Sequence, residues 1–305
     1  MRRLMTVGAA GALVAATVSL TGTAATAAPA PGVKFIDAGQ SSAQVDRFWT
    51  KERIASAKEY RAPAAPAVSA DSSTVDASTQ GPQYVRAGTL PKAEPGQVTS
   101  QWRKPPALGR LFFSLHGQTW MCSATVVVSD NHDVISTARH CGFGEGGSNY
   151  RFAPAYANGH APRGWFTWRK AGWVTTPGVK GDNAFIVLNK RAGKHVQDAA
   201  GSEGVAFNYK PSQYYTNLLG IPGDKDYPWR CSGQPKGSSD KRIIYLAHCN
   251  GMSGGASGGP FLIKFNANTG VGWQTASYYG SCGHDACGAQ WQSTALSVYR
   301  GAQHR

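Results

Sequence analysis

From about Trp102 onward the chain is a succession of short runs rich in Val, Ile, Thr and aromatic residues, separated by clusters of Gly, Pro, Asn and Asp. The runs lie at 111–114, 119–128, 134–137, 165–176, 184–188, 243–247, 261–265 and 271–279. Their length and composition fit strands, and the clusters between them fit turns. No long segment with a helical period alternates with them, which excludes a doubly wound α/β fold. Only the last stretch, 289–300, reads as a short helix. About 200 residues of this kind make one all-β unit or two small barrels packed together.

The chain ahead of that region is different. Arg2 and Arg3 precede an Ala-rich apolar run that ends in small residues near Ala25–Ala28. This is the pattern of a secretory signal, expected over 1–28. No later run approaches the roughly 20 apolar residues of a membrane span. The stretch 29–100 is expected to be a propeptide or a disordered extension, with one amphipathic helix over 44–61. Ser41 and Gln44 are spaced to form a capping box there. The linker-like 61–82, rich in Ala, Pro, Ser, Thr and Asp, has too little apolar surface to fold alone.

All six cysteines follow Trp120. An even number in an exported chain points to disulfides, although six cysteines allow roughly 15 pairings. Cys231, His248 and Cys249 are the rival zinc set, but the chain has no C-x-x-C pair, so no metal is expected. The formal charge of +14 is scattered rather than gathered into a basic stripe, which argues against nucleic acid as a partner.

One segment carries chemistry. Gly251-Met252-Ser253-Gly254-Gly255-Ala256-Ser257-Gly258-Gly259-Pro260 sets two serines among glycines. Glycine backbone lets a substrate approach closely and lets N–H groups converge on a developing oxyanion. A serine needs a base and an orienting carboxylate. His140 follows an apolar run and adjoins Cys141, for which Cys122 is the natural partner. Asp182 stands just before the apolar run 184–188, where an unpaired carboxylate would be costly. The order His140, Asp182, serine excludes the α/β-hydrolase arrangement, which puts the serine first. Ser253 and Ser257 both remain open as nucleophile on these grounds.

The segments Cys122-Ser123-Ala124-Thr125-Val126-Val127, Thr137-Ala138-Arg139-His140-Cys141, Asp182-Asn183-Ala184-Phe185-Ile186-Val187-Leu188 and Gly255-Ala256-Ser257-Gly258-Gly259-Pro260 together resemble the trypsin/chymotrypsin-like serine peptidases, especially secreted bacterial ones. The resemblance spans about 110–300, within a peptidase domain expected at 101–305. It implies an all-β fold of two packed six-stranded-type barrels with a short C-terminal helix. It also implies a catalytic triad of His140, Asp182 and Ser257, an oxyanion hole at Gly255 and Ser257, and a substrate pocket around Gly251, Ser253, Ser277 and Tyr278. The implied disulfides are Cys122–Cys141 and Cys231–Cys249, which leaves Cys282–Cys287. The implied activity is that of a secreted, monomeric endopeptidase acting on protein or peptide substrates, without a cofactor, nucleic acid or membrane. A non-catalytic binding protein on the same fold and an esterase are the alternatives.

Two departures from the family pattern matter. Ala256 replaces the Asp that in many members binds a new N-terminus after zymogen cleavage. Gly251 stands where trypsin has the Asp that selects Lys or Arg.

Overall fold

The computed structural model describes residues 32–62, 82–91, 106–210 and 213–305. The signal segment 1–28 and most of the linker 61–82 lie outside the described residues.

Six strands form the first barrel: Leu108–Leu115, Gln118–Val126, Val134–Thr137, Ala184–Leu188, Phe166–Val174 and Ser148–Pro154. Each pairs with the next in that order, and Ser148–Pro154 pairs back with Leu108–Leu115, which closes the ring. The second sheet is a curled half-barrel ordered Trp229–Gly233, Thr216–Gly220, Pro260–Asn266, Val271–Cys282, Asp285–Gln290, Ile243–Leu246 and Lys236–Gly237. The all-β, two-barrel expectation therefore holds, with the second unit curled rather than closed.

The run Ala184-Phe185-Ile186-Val187-Leu188 shows why its sequence is apolar throughout. Successive side chains of a strand point to opposite faces. Ala184, Ile186 and Leu188 enter the core of the first barrel. Phe185 and Val187 face a second cluster with Phe207, Trp291 and the C-terminal helix Ser293–Gln303. A strand buried on both faces has no alternation to display.

Several strands lacked a legible pattern. Asp285–Gln290 contains Gly288, where a Cβ would lie 2.4 Å from the Ser277 carbonyl oxygen. Glycine is there because two backbones approach closely, and it obscures the strand in the sequence. The expected helix at 289–300 accordingly begins later, because Ala289 and Gln290 are drawn into strand pairing with Ile243 and Ala276.

The described parts of 29–100 form ordered elements. Val33–Asp37 pairs along five positions with Phe166–Val174. Tyr84–Arg86 pairs with Gly204–Phe207. In place of one helix over 44–61 there are two, Ser42–Phe48 and Lys51–Ala55, followed by a strand at Lys58–Glu59. The capping box of Ser41 and Gln44 is present. The break falls where Trp49 drops into the core and its indole N–H donates to the Asn149 carbonyl. Thr50 then caps the second helix by accepting from the Arg53 N–H.

Glu203 lies at the seam between the two sheets, where its backbone bonds to Val126 and Val128. Its side chain is fully buried. The Gly272 N–H donates to Oε2 at 2.6 Å, and Oε1 has no partner. Burial pushes its pKa up from 4.5 to about 8. The folded chain therefore keeps a proton that the unfolded chain has already released across that interval. The stability linked to this group is fully present below pH 4.5, falls as pH rises, and is lost above about 8. Glu203→Gln is expected to melt on the order of 5–10 °C above the parent at pH 9. The two should coincide at pH 4, as read by thermal melts across pH.

Candidate active site

Sheet register brings His140 and Asp182 together. Val134–Thr137 runs antiparallel to Ala184–Leu188, with Thr137 opposite Ala184. Residues just past Thr137 must then meet residues just before Ala184. The Cys122–Cys141 disulfide holds the far side of the His140 turn. The Asp182 carboxylate uses both oxygens on His140. Oδ1 accepts the backbone N–H at 2.7 Å, and Oδ2 lies 2.7 Å from Nδ1. His140 is 7% exposed and Asp182 is 3% exposed. A carboxylate placed in this way makes Nδ1 the protonated nitrogen and leaves Nε2 as the proton acceptor. Nε2 is buried and has no hydrogen-bond partner among the described residues.

The Ser257 loop is pressed against the same turn. The Ser123 N–H donates to the Ser257 carbonyl at 2.7 Å, and the Gly258 N–H donates to Tyr278. Gly258 has φ +84°, and a Cβ there would lie 2.2 Å from Thr137 Oγ1. Only glycine fits this junction. Gly255 also has φ +84°. Its carbonyl accepts from Ser123 Oγ at 2.9 Å and from Arg110 Nη1 at 3.5 Å.

Arg110 is fully buried. It also donates to the carbonyls of Ile221 and Pro222 and pairs with Asp226 at 3.1 Å. Ala256 sits in an apolar cluster with Leu218, Phe261 and Ala276. The Gly255–Ala256 turn is thus fixed through its carbonyl rather than through a carboxylate at 256. Sequence reading missed Arg110 and Ser123. An Arg within an otherwise apolar strand was the available signal, since buried arginine needs partners.

A cleft of about 230 Å3 opens beside Ser257, lined by Met252, Ser253, Gly254, Tyr278, Tyr279, Gly280 and Ser281, with Arg61 and Ala62 closing one side. Ser253 and Tyr278, both expected in a pocket, line it. Gly251 does not, because the Trp229 indole covers it; a Cβ at 251 would lie 2.2 Å from Trp229 Nε1. Ser277 does not either. It is fully buried and its Oγ accepts from Trp291 Nε1. The Tyr278 hydroxyl donates to the Met252 carbonyl, and burial pushes its pKa up to about 12. Tyr279 packs edge-on against His140 with centroids 5.3 Å apart.

The cysteines form Cys122–Cys141, Cys231–Cys249 and Cys282–Cys287. Cys231 and Cys249 therefore offer no thiolate to a metal. Cys122, His140 and Cys141 also cluster closely, but their two sulfurs are bonded to each other.

No protein-family model matches the chain, and no curated protein matches it. Solved structures do. Protease Anisep from Arthrobacter nicotinovorans is 30% identical over 67% of this chain and 99% of its own, with a TM-score of 0.60. The thermostable serine protease AL20 from an extremophilic microorganism is 27% identical over 66% of this chain and 98% of its own, with a TM-score of 0.58. A Glu endopeptidase shares the fold at 17% identity, with a TM-score of 0.52 over 72% of this chain and 98% of its own. Together with the two-barrel fold and the His140–Asp182 pair, these likenesses establish that the chain belongs to the bacterial chymotrypsin-fold serine proteases.

Proposed function

We propose that the protein is a secreted serine endopeptidase acting through Ser257, His140 and Asp182. The observation that carries this reading is the Asp182 carboxylate, which bonds both the backbone N–H and Nδ1 of a buried His140 beside the Ser257 loop. In this mechanism the Ser257 hydroxyl attacks a peptide carbonyl while His140 Nε2 takes its proton. The carbonyl oxygen becomes an oxyanion held by the N–H groups of Gly255 and Ser257. His140 then gives the proton to the leaving amine. Water repeats the cycle on the acyl-enzyme and restores Ser257.

The Ala-rich leader, the even cysteine set and the likeness to bacterial proteases support export of a peptidase domain that begins near residue 101. Ala256 offers no charge to a buried ammonium, so activation by insertion of a new N-terminus is not part of this reading. Prolonged exposure to a fluorophosphonate tests the function. One equivalent on Ser257, together with turnover of a peptide, is the expected result. No label on folded protein would favour a binding role, and turnover of esters alone would favour an esterase.

The cleft also bears on specificity. Apart from Arg61, which comes from the N-terminal segment, the side chains that line it are uncharged, and the Trp229 ring fills the position above Gly251. A charged P1 side chain would lose hydration there without gaining a partner. Cleavage profiling on a mixed peptide library is expected to favour uncharged P1 residues. Lys or Arg should be disfavoured roughly tenfold or more, as should Glu, corresponding to about 1–3 kcal/mol of unpaired polar burial. A dominant preference for any charged residue would refute this assignment.

A further inference from the structure

Residues of the chain's own N-terminal region lie against the candidate cleft and line one side of it. The two N-terminal helices lead into the segment Ala57–Ala62, which crosses the face of the cleft. Lys58 and Glu59 pair parallel to Trp120 and Met121, and the Tyr60 N–H continues the ladder to the Met121 carbonyl at 3.0 Å. The Tyr60 carbonyl then accepts the Gly255 N–H at 3.2 Å. Its ring stacks on His140, with centroids 5.9 Å apart and planes within 19°. Phe113 and Trp120 hold that ring edge-on, and its hydroxyl reaches Glu145. Beyond Tyr60, Arg61 and Ala62 line the pocket beside Ser257, and Ala62 packs near Val179 and Tyr279.

We propose that residues 57–62 are an intramolecular inhibitory ligand of this cleft, and that the surface from Met121 through Gly255 to Tyr279 fits a peptide of that sequence. The proposal rests on the peptidase reading above. Three features of the contact support it. The N–H group assigned to the oxyanion is satisfied by a carbonyl that belongs to the protein. The His140 ring is stacked by Tyr60 and met edge-on by Tyr279. The glycines along the path have their own close approaches: a Cβ at Gly254 would lie 2.6 Å from Glu59 Oε2 and 2.7 Å from Arg61 Nε, and one at Gly223 would lie 2.1 Å from Glu59 Cγ. The absence of a Cβ at either glycine leaves room for the Glu59 and Arg61 side chains, which would have to shift if a larger residue stood there.

The segment is held in place from upstream. Val33–Asp37 is bonded into the first barrel, and Trp49 is anchored in its core. Tethering on that frame gives the tip a high effective concentration in the cleft, of millimolar order, so modest contacts suffice to occupy it. The segment is an inhibitor rather than a substrate. Of the two N–H groups assigned to the oxyanion, only that of Gly255 reaches the Tyr60 carbonyl among the described residues, so the carbonyl is held without the full cradle that bond cleavage needs.

The test compares rates of fluorophosphonate labelling of the full chain with those of its Tyr60→Ala and Tyr60→Gly variants. The parent is expected to label at least tenfold more slowly than either variant. A synthetic Ala-Lys-Glu-Tyr-Arg-Ala peptide at millimolar concentration should return the variants toward the parent rate. Equal rates in parent and variants would overturn the inhibition and leave the peptidase reading standing, as would cleavage of the parent after Tyr60. If neither variant folds, hydrogen exchange on the parent decides. Slow exchange of the Tyr60 and Gly255 amides is expected, and free exchange would overturn the proposal. Folded variants that never label, with those amides protected in the parent, would overturn the peptidase reading and the inhibition with it.

Discussion

Ser257→Ala is expected to abolish fluorophosphonate labelling and to lower kcat by about 10⁶, whereas Ser253→Ala should retain both. The two serines stand four residues apart in the same glycine-rich segment, so their surroundings must separate them. Ser253 Oγ donates a hydrogen bond to Asp224, whose carboxyl is held below its ordinary range by Lys225 and by this bond. That hydroxyl is committed to an acceptor outside the residues that line the cleft. Ser257 is 3% exposed, and its loop is bonded to Ser123 and packed on Thr137, one turn from His140. It follows the Gly255 N–H by two residues, so a carbonyl attacked by its Oγ has its oxygen within reach of that donor. Rates of peptide hydrolysis and of labelling, each measured against the same parent, check the assignment. Retention of label in Ser257→Ala and its loss in Ser253→Ala would move the nucleophile to Ser253.

Much of this site was legible because its parts sit at the ends of strongly patterned strands. The apolar runs 134–137 and 184–188 were evident in the sequence, and their antiparallel pairing places His140 against Asp182. The pairing Cys122–Cys141 followed from position, whereas the other two disulfides came through the family resemblance. The pocket was less legible. Which residues line a cleft depends on what covers them, and no local pattern reveals that Trp229 roofs Gly251 or that Ser277 turns toward Trp291. The strands Thr216–Gly220 and Trp229–Gly233 carry few β-branched residues and pair with each other as a hairpin, and Thr216–Gly220 is held on its other edge by Pro260–Asn266, far along the chain, so neither has a strong local signature.

The N-terminal region shows the same limit from the other side. The linker 61–82 is poor in apolar residues, whereas the stretch before it is not. Val33, Phe35, Val45 and Trp49 each find a buried or half-buried place on the barrel. A five-residue strand has no independent stability and no signature beyond its edge partner. Tyr60 is the sharpest instance. It is one tyrosine in a polar hexapeptide, and its significance appears only when the Gly255 N–H and the His140 ring are seen beside it.

Asp182→Asn is expected to lower kcat by about 10⁴ while leaving the fold intact. The amide is isosteric with the carboxylate but supplies one acceptor and one donor where His140 presents two N–H donors. With its oxygen on the His140 backbone N–H, the amide N–H₂ faces Nδ1, which must then carry a lone pair. The imidazole proton moves to Nε2, and the base needed by Ser257 is gone. With the amide turned over, its N–H₂ faces the backbone N–H, two donors oppose each other, and a buried bond is lost at a cost of about 1–3 kcal/mol. Neither orientation reproduces the pair of 2.7 Å contacts. Thermal melting and single-turnover hydrolysis separate the outcomes. A fall in the chemical step with a melting temperature within a few degrees of the parent would identify Asp182 as setting the tautomer. A rate within tenfold of the parent would make the carboxylate structural and leave His140 to act unaided.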